Sequence, residues 1–163
     1  MALPVNIHAL LHARLIESER LEFKKSWNPV SVMHSLCAFA NDINHWGGGY
    51  IIIGIEEMNK QPVFPPTGLS AGQIDKIQRE ITEICHKIQP NYMPLLQPAS
   101  YQNRQILIIW APAGDVRPYS ARESLGSKEQ KGRYFYIRSG SSTIKARGEN
   151  LIRLQELTAR IPF

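Results

Sequence analysis

The run Ala38-Phe39-Ala40-Asn41-Asp42-Ile43-Asn44-His45-Trp46-Gly47-Gly48-Gly49-Tyr50-Ile51-Ile52-Ile53-Gly54-Ile55-Glu56-Glu57 decides the fold of this 163-residue chain. Its first part closes an apolar helical pattern. Three glycines then open backbone conformations closed to other residues, and Tyr50 to Glu56 is apolar on both faces. Such a strand belongs inside a sheet with both faces covered. Glu56 and Glu57 fall at its exit, where a buried strand holds side chains rigidly. The glycines precede a strand rather than a helix and lack the Gly-Lys-Ser/Thr ending of a Walker loop. They read as a turn, with a nucleic-acid phosphate contact as the other reading.

Upstream, residues 20 to 25 alternate polar and apolar, the period of a strand with one face in a core. Leu21 and Phe23 face inward in that reading, and Glu22 and Lys24 project together from the other face. Glu17 sits on the turn leading in and can fold back toward Glu22, which gives a paired acid site flanked by Lys24 and Lys25. The same pattern also suits a solvated edge strand with ordinary surface charges. Before it, Ile7, Leu10, Leu11 and Leu15 have helical spacing over residues 6 to 15. His8 and His12 lie four apart on that helix, but no third metal ligand follows nearby. Pro29 suits the first position of a helix running to about Asn41.

Downstream of a Pro-rich loop, Ser70 and Gln73 form a capping box for a helix predicted to reach about Gln89. Strands are predicted over 95 to 101 and 105 to 111, joined by a hairpin turn at Gln102-Asn103-Arg104. The polar connection from Gly114 to Gly132 is longer than a compact domain usually leaves unstructured, and it is expected to be mobile. Residues 133 to 138 alternate as a further strand. Ser139 to Thr143 follow, a run of small residues between Arg138 and Lys145 that reads either as a phosphate-contacting segment or as a Ser-rich turn. A last helix is predicted from Gly148 to Ile161 with Leu151, Leu154, Leu157 and Ile161 inward. Helical and strand periods interleave too finely for separate halves, so the expected fold is α/β: one domain, residues 1 to 163, with a mixed sheet built from 20 to 25, 50 to 56, 95 to 101, 105 to 111 and 133 to 138 and packed by helices.

Composition narrows the functional classes. Lys and Arg number 19 against 14 Asp and Glu, a net charge of +5 that suits a polyanionic partner. The two cysteines, Cys37 and Cys85, lie in apolar helical patterns and read as buried thiols of a reducing compartment. No apolar run approaches the roughly 20 residues that span a bilayer, and the first residues lack the order of a signal peptide, so a cytoplasmic location without a membrane partner is expected.

Three segments carry a resemblance: Glu17-Ser18-Glu19-Arg20-Leu21-Glu22-Phe23-Lys24, then Phe39-Ala40-Asn41 with Gly48 to Glu57, then Tyr136-Ile137-Arg138-Ser139-Gly140-Ser141-Ser142-Thr143. In this order and spacing they resemble the Schlafen-type AlbA-like domain, described in bacteria as a predicted DNA-binding domain. The resemblance implies the N-terminal module of a longer predicted transcriptional regulator, often followed by a divergent ATPase-like, ATP-binding region and a winged helix. Animal Schlafen proteins with a related fold cleave structured RNA through three carboxylates. Carried over, that set falls on Glu17, Glu22 and Glu56, with Glu56 standing where the nuclease members carry aspartate and Ile43 to Trp46 lengthening the loop before the glycines.

Three functions follow as expectations. In the first, Lys24, Lys25, Arg133, Arg138, Ser141, Lys145 and Arg147 grip the backbone of DNA or RNA without reading bases. In the second, Glu17, Glu22 and Glu56 hold Mg²⁺ or Mn²⁺ for endoribonuclease chemistry, with Lys24 offsetting transition-state charge. In the third, the domain is a scaffold that forms a homodimer within a larger regulator.

Overall fold

The computed structural model describes residues 6–12, 18–126 and 132–159. The chain forms an α/β domain built from helices α1 (Ile7–Leu11), α2 (Pro29–Asn41), α3 (Ala71–Cys85) and α4 (Glu149–Ala159), with strands β1 (Leu21–Lys24), β2 (Gly48–Ile53), β3 (Glu57–Met58), β4 (Gln61–Pro62), β5 (Ile88–Gln89), β6 (Leu95–Tyr101), β7 (Arg104–Pro112), β8 (Ser120–Arg122), β9 (Arg133–Ser139) and β10 (Ser142–Lys145). Among the described residues, no helix is long and apolar enough to cross a membrane.

The first sheet is mixed, in the order β1-β2-β7-β6. β2 pairs in parallel with β1, Glu22 opposite Ile51 and Lys24 opposite Ile53, and antiparallel with β7. It is central, as its two-sided apolar pattern requires. Ile51 and Ile53 join the main core with α2 and α3, while Ile52 and Ile55 pack on the opposite face with Leu11, Ile106 and Ile108. The β6–β7 hairpin turns at Gln102 and Asn103, both left-handed at φ 50° and 62°. That is the geometry of a type I′ turn.

The expected strand 133 to 138 does exist, but it is not in this sheet. β9 lies in a second, antiparallel sheet ordered β10-β9-β8-β5. The polar connection expected to lack structure supplies one of its strands, β8, which pairs with both β5 and β9. Lys128 and Lys131, in the same connection, lie outside the described residues, as do Leu15 and Ile161 of the predicted terminal helices.

Helix ends follow local chemistry. Asn28 caps α2 by accepting from Ser31 N–H, and Pro29 occupies its first turn. The capping box of α3 forms as predicted, although the helix stops at Cys85. α2 ends at Asp42 in the left-handed conformation. The Asp42 carboxylate then accepts from the amides of Trp46, Gly47 and Gly48 at 2.8, 3.0 and 3.3 Å. A carboxylate of the chain itself therefore occupies the nest that could have cradled a phosphate, and the glycine run is a turn. Two of its glycines are required: a Cβ on Gly48 would sit 2.0 Å from the Ala111 carbonyl oxygen, and one on Gly49 2.2 Å from the Phe39 ring.

Asn41 ties the end of α2 to the second sheet and the loop that leads into it. Fully buried, it donates to the carbonyls of Tyr119 and Tyr136 at 2.9 and 2.7 Å and accepts from Tyr119 N–H at 2.6 Å.

Candidate functional site

The face of β1 that carries Glu22 and Lys24 is not a solvated edge. It points toward α2 and the β9–β10 hairpin, because the register places these residues beside Ile51 and Ile53 on the main-core side of the sheet. Glu22 Oε1 accepts from Ser35 Oγ at 2.9 Å and from Arg138 Nη1 at 3.0 Å. Arg138 is 4% exposed. Its remaining donors go to Thr143 Oγ1 at 2.9 Å, the Glu19 carbonyl at 3.2 Å and the Leu21 carbonyl at 3.5 Å, and its guanidinium lies over the Phe39 ring at 4.8 Å. Burial pushes the Arg138 pKa below its ordinary value and the Glu22 carboxylate pulls it back up.

In front of this pair lies a cleft of about 440 Å³ lined by Glu22, Asn28, Val30, Ser31, His34, Ser35, Ser142 and Thr143. Lys24 Nζ donates to Ser31 Oγ and stands 3.9 Å from Glu22 Oε2. That second carboxylate oxygen is buried and has no hydrogen-bond partner among the described residues. His34 stacks on Tyr136 with ring centroids 4.0 Å apart, and its Nε2 lies 2.9 Å from the Arg122 carbonyl. A carbonyl only accepts, so this nitrogen carries the hydrogen and Nδ1 is the acceptor. Burial is the main cause that lowers the His34 pKa.

The structure treats the predicted residues unequally. Glu22, Lys24, Arg138 and Thr143 come together, with Ser142 beside them, and Glu17 lies outside the described residues. Arg138 was expected on a phosphate-gripping surface; the structure buries it behind Glu22 and Thr143 and commits its donors inside the protein. Arg133 likewise donates inward, to the Ser120 carbonyl and Oγ at 3.1 and 3.3 Å. Lys145 pairs with Glu123 at 2.5 Å and sits 3.8 Å above the Tyr134 ring. Lys25 and Arg147 are exposed and have no polar partner among the described residues. Ser141 lines a separate small hollow with Leu21, Phe23, Glu57, Lys60, Gln61 and Pro62.

That hollow singles out the neighbour of the predicted third acid. Glu57, not Glu56, borders it, and Glu57 is also one of the carboxylates whose charge acts on Arg138. Adjacent residues at a strand exit point to opposite sides, so choosing between two consecutive acids needs the local twist. His34 and Ser35 were also missed: on a predicted helix they read as ordinary polar interruptions. The spacing of Ser31 and Ser35, four apart and therefore on one helix face, was the available signal.

The profile of a protein family described as Schlafen, AlbA_2 matches residues 17–147. No curated protein matches the chain. The crystal structure of the DIP2311 protein from Corynebacterium diphtheriae is similar in fold, with a TM-score of 0.54 and 16% identity over 85% of this chain and 29% of that one. The chain thus spans less than a third of that protein's length. The solution structure of the N-terminal domain of a RecG-related protein from Nitrosomonas europaea, named after an ATP-dependent DNA helicase, has a TM-score of 0.48 and 26% identity, covering 71% of this chain and 84% of that one.

Proposed function

We propose that this chain, which belongs to the Schlafen AlbA_2 family, binds the sugar–phosphate backbone of nucleic acid in the cleft between β1, α2 and the β9–β10 hairpin, as a module of a larger regulator. The observation that carries the reading is the lining itself. Asn28, Ser31, Ser35, Ser142 and Thr143, with Lys24 at the wall, bring together amide, hydroxyl and ammonium groups. Those groups contact phosphate and sugar oxygens without distinguishing bases. The net charge of +5 supplies long-range attraction for a polyanion. Exposed Lys25, next in the chain to Lys24, adds a cation that is not paired within the described residues.

The test is fluorescence anisotropy with labelled DNA and RNA hairpins across a salt series. Affinity should fall steeply with salt, and Lys25→Glu should weaken every hairpin and flatten the slope by about one unit. Ser142→Glu, which places a carboxylate on an exposed residue of the cleft, should weaken binding further. Affinity unchanged in both variants would remove the cleft from the reading.

One observation favours a second reading, metal-dependent cleavage of structured RNA: Glu22 lines the cleft, and its buried Oε2 has no hydrogen-bond partner among the described residues. The described residues alone do not complete a Mg²⁺ or Mn²⁺ site, since no three His, Cys, Asp or Glu side chains among them come together. Gel assays of structured RNA with Mn²⁺ and with chelator decide it. A product that needs Mn²⁺ and disappears in Glu22→Gln supports cleavage, and no such product across several RNAs retires it.

A further inference from the structure

Away from the cleft, His8 on α1 and His12, the residue that caps the helix's C-terminal end, lie four apart and exposed, with ring centroids 4.3 Å apart. The spacing alone gives two ligands. The fold adds a third group from a distant part of the chain: Tyr101, the last residue of β6, places its hydroxyl 2.8 Å from His8 Nδ1 and 2.9 Å from His12 Nε2. His12 is also stacked on Phe64 with centroids 4.8 Å apart, which fixes the plane of its ring.

We propose that His8, His12 and Tyr101 form a binding site for a borderline divalent transition ion of the Zn²⁺ class. Imidazole pairs at His-x-x-x-His spacing on a helix are a recurrent half-site for such ions. Here both imidazole nitrogens already lie within hydrogen-bond distance of one phenol oxygen. A tetrahedral ion holds its ligands at about 2.0–2.2 Å, so neighbouring donors sit roughly 3.3–3.5 Å apart. The observed separations need to open by about half an ångström, within the reach of χ rotations on exposed side chains. Both histidines bind as neutral rings through the nitrogens that now face the phenol. The phenol proton leaves to water, a loss that the charge of the ion favours. Solvent fills the fourth position, since both histidines are exposed. Hard cations such as Mg²⁺ prefer carboxylate and water oxygens and are excluded by the same ligand set.

The site would clamp α1 to the end of β6, closing a loop across 89 residues between His12 and Tyr101. The cysteines do not compete: both are buried, and burial pushes each thiol up to about 12, which disfavours the thiolate that a metal needs.

The experiment is calorimetric titration of the untagged chain with ZnCl₂ at pH 7.5, with MgCl₂ as the hard-cation control and circular dichroism to confirm that each variant is folded. The expected result is one Zn²⁺ per chain, no Mg²⁺ heat, and affinity lowered by more than about tenfold in His8→Gln and in His12→Gln, the loss that even an outer-shell change brings. Tyr101→Phe should weaken binding several-fold while keeping the aromatic packing. Absence of Zn²⁺ binding, or binding that survives either histidine change, overturns the site. Binding unaltered in Tyr101→Phe overturns the three-ligand assignment.

Discussion

Arg138 approaches Glu22 to 3.0 Å with only 3% of its side chain exposed. This buried cation is thus a structural partner of the acid that lines the cleft, and lies behind it. Removing one member leaves the other buried and unmatched. Arg138→Met should destabilise the domain by about 3–5 kcal/mol, and adding Glu22→Gln should recover part of that loss. Urea denaturation of both single variants and the double variant measures the coupling. Additive effects would mean that the pair does not act as a unit.

Asn41 makes three hydrogen bonds with the backbone of the second sheet and its leading loop. Asn41→Leu takes this partner from the Tyr136 carbonyl and the Tyr119 amide and leaves the Tyr119 carbonyl with the Cys37 thiol at 3.3 Å, at about 1–3 kcal/mol for each group left unpaired. The expected outcome is a large fall in melting temperature, or failure to fold, measured by thermal denaturation. A variant within a degree or two of wild type would show that water replaces the amide.

Gly49→Ala puts a methyl group 2.2 Å from the Phe39 ring. Overpacking of this kind costs about 1–3 kcal/mol. The double variant Gly49→Ala with Phe39→Leu should be less destabilised than the sum of its parts, because the shorter side chain vacates the contact. Denaturant midpoints give the comparison.

His34 titrates below its unfolded value of 6.5 in the folded chain, because burial disfavours the imidazolium more than Glu123 and the Arg122 carbonyl favour it. Below that pH the unfolded chain binds the proton more readily than the folded one, so the residue's effect on stability falls as pH drops through 6.5 and levels off once the folded ring is also protonated. Urea midpoints at pH 7.5 and 5.5 should therefore differ more in the wild type than in His34→Gln. Equal differences would exclude His34 as the source.

Much of this architecture was legible because local rules agree with the tertiary outcome. Tyr50 to Ile55 is apolar on both faces and lies in the sheet's interior. Asn28-Pro29 and Ser70 with Gln73 announce helix starts by hydrogen bonds that close within a single turn. The second sheet was hidden for the opposite reason. β8 has three residues, Ser120, Ala121 and Arg122, and its pattern acquires meaning only between β5 and β9. Arg138 read as a surface cation because the acid that justifies its burial lies 116 residues earlier. Glu56 came from the family resemblance, as the first acid after Gly54-Ile55; that Glu57 borders the small hollow depends on the path of the β3–β4 hairpin, whose turn at Asn59 and Lys60 is left-handed at both residues.

The 116-residue span between Glu22 and Arg138 also sets an order of events during synthesis. The acid leaves the ribosome first, while Arg138 and Thr143 emerge with nearly the last strands, after both sheets have most of their residues. Until then the carboxylate stands without its cation and the cleft lacks one wall. A nascent chain therefore lacks the finished cleft until β10 has emerged. A chain released early, before β9, would be left with the same unmatched acid and without the Ser142 and Thr143 side of the cleft.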